Sequence, residues 1–133
     1  MSLADVSLNA TSSTTPTGGT ALALDSLGQT LGKNHLFFAA DTDFRTRREM
    51  ICTASQPRVQ SSAPNGYTQA RQNILLKVPL ALDNGATTVN TASVQFAMDV
   101  ETSDSEKDQV IQLIITALCD SNVVAFIKNG STE

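Results

Sequence analysis

Histidine occurs once in this chain, cysteine twice, tyrosine once and tryptophan not at all. One imidazole, His35, is too few to build a Ser/His/Asp set or a metal site, so His35 reads as an ordinary residue where a loop enters a strand. Asp41 and Asp43 flank a threonine, a pattern that solvated loop carboxylates also give, and no glycine-rich phosphate loop opens a helix. No enzymatic activity, metal or other cofactor is expected. Cys52 and Cys119 lack metal-type spacing, and each falls inside an expected regular element, so both read as buried reduced thiols. Charge is also scarce: 17% of residues, a net charge of −4 and no run of Lys or Arg. The total therefore gives no general pull on nucleic acid, and any RNA affinity must come from a local cluster. The longest apolar runs, near residues 111–118 and 123–127, fall well short of the ~20 residues that cross a bilayer. The N-terminus lacks the basic, apolar and small-residue succession of a secretory leader, so no secretion and no membrane partner are expected.

What is present is an ordered succession of strands followed by helices. At 133 residues with 41% hydrophobic content, the chain reads as a single domain, 1–133, with its own core. Residues 3–10 alternate through Val6, Leu8 and Ala10. Residues 11–19 are a Ser/Thr/Pro/Gly turn, and residues 20–27 alternate again, which predicts an N-terminal hairpin over 1–27. Residues 28–34 read as a loop and 35–40 as a short apolar strand. The polar stretch 41–48 carries Arg45, Arg47 and Arg48, whose orientation the pattern leaves open.

Three stronger strands follow, completing an antiparallel sheet over 35–101. Residues 49–56 place Met50, Cys52 and Ala54 on one face and Ile51, Thr53 and Ser55 on the other. Residues 71–82 place Ile74, Leu76, Val78, Leu80 and Leu82 opposite Arg71, Asn73 and Lys77. Pro79 cannot donate to a ladder, so pairing should loosen there. Asp83-Asn84-Gly85 forms a turn leading into a Thr-rich connection. Residues 91–101 then alternate through Ala92, Val94, Phe96, Met98 and Val100.

A helix pair is expected over 103–130. Ser103 and Glu106 form a capping box, and Asp104 and Glu106 suit the positive end of the helix dipole. At about 100° per residue, Val110, Ile111, Leu113, Ile114, Ile115, Ala117 and Leu118 span an arc of roughly 200°. A helix lying on its own sheet needs only about 100° of apolar surface, so the surplus points to contact with another chain. Ser121-Asn122 should break and restart the helix, and Gly130 should stop it. The fold class is therefore α+β, an antiparallel sheet followed by two helices that cover one of its faces.

The other face is polar without being strongly charged. It gathers Thr53, Ser55, Arg71, Asn73, Lys77, Thr91 and Gln95. Short hydroxyl and amide groups between cations can contact phosphates and unstacked bases. A solvated sheet face would have the same composition, and the pattern leaves both readings open.

Several ordered segments resemble the coat proteins of small single-stranded RNA bacteriophages, the levivirus type. They are the N-terminal hairpin, Met50-Ile51-Cys52-Thr53-Ala54-Ser55-Gln56-Pro57, Asn73-Ile74-Leu75-Leu76-Lys77-Val78-Pro79, and the run from Phe96 through Met98, Ser103 and Glu106 that joins the last strand to a helix cap. The resemblance implies an intertwined two-fold homodimer whose sheets join edge to edge. Helices would exchange through Val110, Ile111, Ile114 and Leu118. Such dimers build an icosahedral shell around single-stranded RNA, so the virion would be the protein's location and the bacterial host cytoplasm its place of assembly.

By the same resemblance, the polar face lines the interior and Thr53, Ser55, Arg71, Asn73, Lys77, Thr91 and Gln95 contact RNA, including a hairpin whose binding represses translation. The segment Asp83, Asn84, Gly85, Ala86, Thr87 and Thr88 would meet its copies around the symmetry axes. Because it lacks cysteine, no disulfide-linked rings are expected. The chain also departs from the family pattern. Glu49 and Leu75 stand where basic or polar residues are common, Val89 and Thr91 fall where an aromatic and an amide hold a looped-out base, and the sole tyrosine, Tyr67, lies near a turn. Competing readings are a secreted β-rich adhesin or pilin-like subunit and a free dimeric RNA-binding regulator.

Overall fold

The computed structural model describes residue 8 and residues 22–130. The chain divides into two compact units, residues 19–100 and residues 1–18 with 101–133. The first unit holds a five-stranded antiparallel sheet in simple sequential order: β1 (Leu24–Thr30), β2 (Lys33–Phe38), β3 (Glu49–Ser55), β4 (Ala70–Ala81) and β5 (Thr87–Met98). The second unit holds α1 (Asp104–Cys119) and α2 (Ser121–Asn129).

Residues 28–34 form a hairpin in place of the expected loop. β1 runs through Thr30, turns over Leu31-Gly32 and returns as β2 from Lys33. Gly32 allows this in two ways. Its φ of +77° suits a residue without Cβ, and a Cβ there would lie 2.7 Å from the Ala54 carbonyl oxygen. The Gly32 carbonyl in turn accepts the Ala54 N–H at 2.7 Å, fastening the turn to the end of β3. A bulge at Leu27 shifts the β1–β2 register, and the Ser26 hydroxyl pins it by donating to Asn34 Oδ1 at 2.9 Å and accepting the Gly28 N–H at 3.3 Å. Of the expected N-terminal hairpin, the first strand and the turn lie outside the described residues, and the second strand appears only as the start of β1.

β3, β4 and β5 follow their alternation patterns closely. Two details differ at the far end. Pairing continues past Pro79, which faces Val89, to Ala81 and Thr87. The last β3–β4 pair is Glu49 with Lys77, so beyond it β4 has a neighbour on one side only, and a missing donor is tolerated. The Thr-rich connection is likewise strand. Thr87 and Thr88 belong to β5, and the true turn is Leu82 to Ala86, closed by Leu82 N–H to Ala86 O at 2.8 Å with Gly85 at φ +85°.

In the helical unit, the Ser103 hydroxyl caps α1 by accepting the Glu106 N–H at 3.3 Å. The Glu106 carboxylate returns to the Ser103 hydroxyl at 3.1 Å, where a full capping box would use the backbone N–H. The break falls at Asp120, one residue before the expected site. Its N–H closes α1, and its carboxylate accepts the Asn122 and Val123 N–H groups to open α2. The helices bend by 66° there, and Gly130 at φ +68° ends α2 as expected. No single described helix is long and apolar enough to cross a membrane.

Among the described residues, no side chain is fully buried. Cys119 is exposed at the end of α1 and Cys52 is half-buried, so the expectation of two buried thiols holds for neither. On α1, Val110, Ile111 and Leu118 are 44%, 40% and 48% exposed. A chain of this size normally has fully buried apolar side chains.

Candidate nucleic-acid interface

The strand register sorts the sheet into two chemically distinct faces. One face carries Leu36 on β2, Met50 and Cys52 on β3, Ile74, Leu76 and Val78 on β4, and Val94, Phe96 and Met98 on β5. Its paired positions include no charged residue. The opposite face carries Lys33, Arg71 and Lys77 against Glu49 and Asp25, with hydroxyl and amide groups between them.

All seven residues expected to contact RNA lie on that polar face, in three cross-strand rows. Thr53 faces Asn73, which faces Gln95. Ser55 faces Arg71, which faces Ala97. Glu49 faces Lys77, which faces Thr91. Directly opposite residues on one sheet face have Cβ atoms about 5 Å apart, so the first and third rows are continuous polar strips and the second is polar through Ser55 and Arg71. Between the strips, Ile51, Leu75 and Ser93 form a row with an apolar centre, and the Ser93 hydroxyl donates to Asn73 Oδ1 at 3.0 Å.

The structure adds residues that strand patterns alone missed. Lys33 faces Thr53 and so heads the Thr53–Asn73–Gln95 row, while His35 faces Ile51. The alternation Lys33, His35, Phe37 was available as a signal, but two glycines in five residues made the segment read as loop.

Glu49, out of pattern for the resembled family, is neutralised locally. Its carboxylate takes His35 Nε2 at 3.0 Å on one oxygen and Arg47 Nε at 3.3 Å on the other. Partial burial pushes the Glu49 pKa up, but the hydrogen bonds from His35 and Arg47 outweigh it and hold the carboxyl below its usual range. Lys77, directly opposite, therefore does not face a bare carboxylate.

The three clustered arginines separate. Arg47 lies with Glu49 and stacks over the Phe37 ring at 4.6 Å, on the polar side. Arg48 stacks over Phe38 at 4.6 Å and grips Asp41 through Nε at 2.9 Å and Nη2 at 3.2 Å. The Arg48 side-chain and backbone hydrogen bonds lower the Asp41 pKa. Arg45 pairs with Asp43 in the exposed loop, where its backbone and side-chain hydrogen bonds lower that carboxyl's pKa too. No cluster of His, Cys, Asp and Glu suited to a metal ion occurs among the described residues.

Val89 and Thr91 both fall on the polar face, opposite Pro79 and Lys77, and place no aromatic there. The sequence matches no known protein family and no curated protein. The fold has clear structural relatives. A subunit of the virus-like particle of bacteriophage GQ-907 superposes with a TM-score of 0.82 at 23% identity, over 98% of each chain. The corresponding subunit from bacteriophage AVE019 gives 0.73 at 14% identity over 88% of this chain and 92% of that one. That from bacteriophage ESE058 gives 0.66 at 12% identity over 89% and 99%. The chain therefore has the RNA-phage coat fold that its sequence resemblance implied, shared with the subunits of these bacteriophage virus-like particles.

Proposed function

We propose that this protein is a structural capsid subunit: a homodimer that assembles into a closed icosahedral shell, with the polar sheet face turned toward enclosed single-stranded RNA. The observation that carries the reading is β5. It is the outermost described strand on its side of the sheet, twelve residues long, with no charged residue, proline or glycine. An edge of that kind offers unpaired N–H and C=O groups for another chain, and proteins that stay single blunt such edges with charges or bulges. The opposite edge, β1, is blunted in just this way by Asp25 and the bulge at Leu27. Pairing β5 with its copy satisfies the free ladder groups and makes one continuous sheet from two chains.

The helical unit supports the same conclusion. Val110, Ile111 and Leu118 leave apolar area open on α1, and Ile114 lies half-covered between them. A second chain supplying the cover gives these side chains the burial that a single copy lacks, at about 25 cal/mol per Å² removed from water. The turn from Leu82 to Ala86, which carries Asp83, Asn84 and Gly85 at the far tip of β4 and β5, is the segment free to meet neighbouring dimers. With no cysteine in it, the shell forms without disulfide-linked rings.

Purified recombinant protein should appear in electron micrographs as closed particles containing host RNA, assembled in the bacterial cytoplasm. Fibres would instead favour the pilin-like reading, which draws no support from the structural relatives, and free dimers would favour a regulator. Arg71→Ala combined with Lys77→Ala should leave particles intact while lowering their nucleic-acid absorbance. Unchanged absorbance in intact shells would remove the RNA-facing assignment.

A further inference from the structure

The connection between β3 and β4 holds a small hairpin-like turn outside the named strands. Val59 and Tyr67 form an isolated antiparallel bridge. The Thr68 N–H donates to Arg58 O at 2.7 Å, and the Gln60 N–H donates to Gly66 O at 2.8 Å. The bridge keeps the register of the main ladder: Glu49 with Lys77, Thr53 with Asn73, Ser55 with Arg71 and Val59 with Tyr67 all sum to the same position number, with no inserted residue. The same number of residues, 56–58 and 68–70, separates the bridge from the last ladder pair on its two sides, and with side chains alternating at period two this equal spacing favours Tyr67 and Val59 on the same face as Arg71 and Ser55. Tyr67 stands four residues beyond Arg71, or about 13 Å along an extended chain.

The segment is built to hold that position. Asn65 Nδ2 donates to Asp99 Oδ1 at 2.6 Å, tying the tip to the end of β5, and Asn65 Oδ1 accepts the Tyr67 N–H at 3.2 Å. Gly66 supplies the left-handed turn at φ +82°. The ring itself is left open, with Tyr67 46% exposed and Val59, across from it, 80% exposed. An aromatic ring held on a short hairpin, in line with Arg71, Asn73 and Lys77, has the components of a single-strand binding surface: cations for the backbone and a flat face for a base.

We propose that Tyr67 is a base-stacking platform for single-stranded RNA, flanked by Val59 and working with Arg71. It gives the polar face an exposed aromatic ring, which none of the β5 residues on that face supplies. This inference rests on the RNA-facing reading of the polar sheet face and adds a site to it.

The chain has one tyrosine and no tryptophan, so its intrinsic ultraviolet emission reports on Tyr67 alone. Short single-stranded oligoadenylate should be titrated into RNA-free protein, with retention on a filter measured in parallel. Binding should quench the tyrosine emission. Tyr67→Phe should retain affinity, whereas Tyr67→Leu should weaken it about 5- to 150-fold, the equivalent of losing one stacked base. Retention without quenching, or unchanged retention in Tyr67→Leu, overturns the platform while leaving the RNA-facing sheet in place. No retention of the oligonucleotide by the unmodified protein removes both.

Discussion

The imidazole of His35 lies 3.0 Å from the Glu49 carboxylate, across the β2–β3 ladder on the polar sheet face. Arg47 holds the other oxygen of the same carboxylate. A group whose pKa is lower in the folded state than in the unfolded chain stabilises the fold above its unfolded value, and loses that contribution as pH falls through the folded value. For Glu49, this stabilisation is present above about pH 4.3 and is lost progressively below it. Glu49→Gln should lower the melting temperature at neutral pH and make the decline in acid shallower. Thermal melts of both proteins across that range check it, and parallel curves would show that the pairs contribute nothing.

Gly32 separates a backbone requirement from a steric one. A residue with a side chain at φ +77° costs roughly 1–2 kcal/mol. At Gly32 the new Cβ also meets a backbone oxygen at 2.7 Å, whereas at Gly85 nothing lies within 4 Å. Gly32→Ala should therefore destabilise the protein clearly more than Gly85→Ala in denaturant melts. Equal losses would mean that the turn does not approach Ala54 so closely.

A charge at Ile111 distinguishes a lone chain from a dimer. The side chain is 40% exposed in one copy, where an aspartate would keep contact with water and cost little. Covered by a second copy, the same aspartate becomes an unpaired buried charge. Ile111→Asp should yield no normal particles, as should Ile114→Asp in the middle of the same stripe. Light scattering and electron microscopy read the result, and normal particles from both variants would rule out helix exchange.

Lys33 heads the Thr53–Asn73–Gln95 row at the β2 side of the polar face. Lys33→Ala should lower RNA retention and reduce its salt dependence by about one phosphate contact. A filter-binding titration at several salt concentrations measures both. An unchanged salt slope would place Lys33 away from the nucleic acid.

Much of the fold was legible because strict alternation and helical spacing are local signals. The apolar positions of β4 and β5 identify themselves, and Ser103 and Gly130 mark the helical segment without reference to any distant residue. The errors fell where a distant partner decides the outcome. Gly28 and Gly32 look like loop residues until Ala54 is seen closing on Gly32. Thr87 and Thr88 look like a linker until β4 pairs with them beyond Pro79. Lys33 joins the polar face only through its register with Thr53.

The amino-acid sequence by itself determined the order of strands and helices, the apolar and polar sides of each strand, and the excess apolar surface on α1, because each depends only on neighbours a few residues apart. Tertiary structure alone decided which strands pair, which cation each carboxylate neutralises, and that β5 is the outermost described strand on its side of the sheet. Register and edge position are relations between segments far apart in the chain, and no local pattern encodes them.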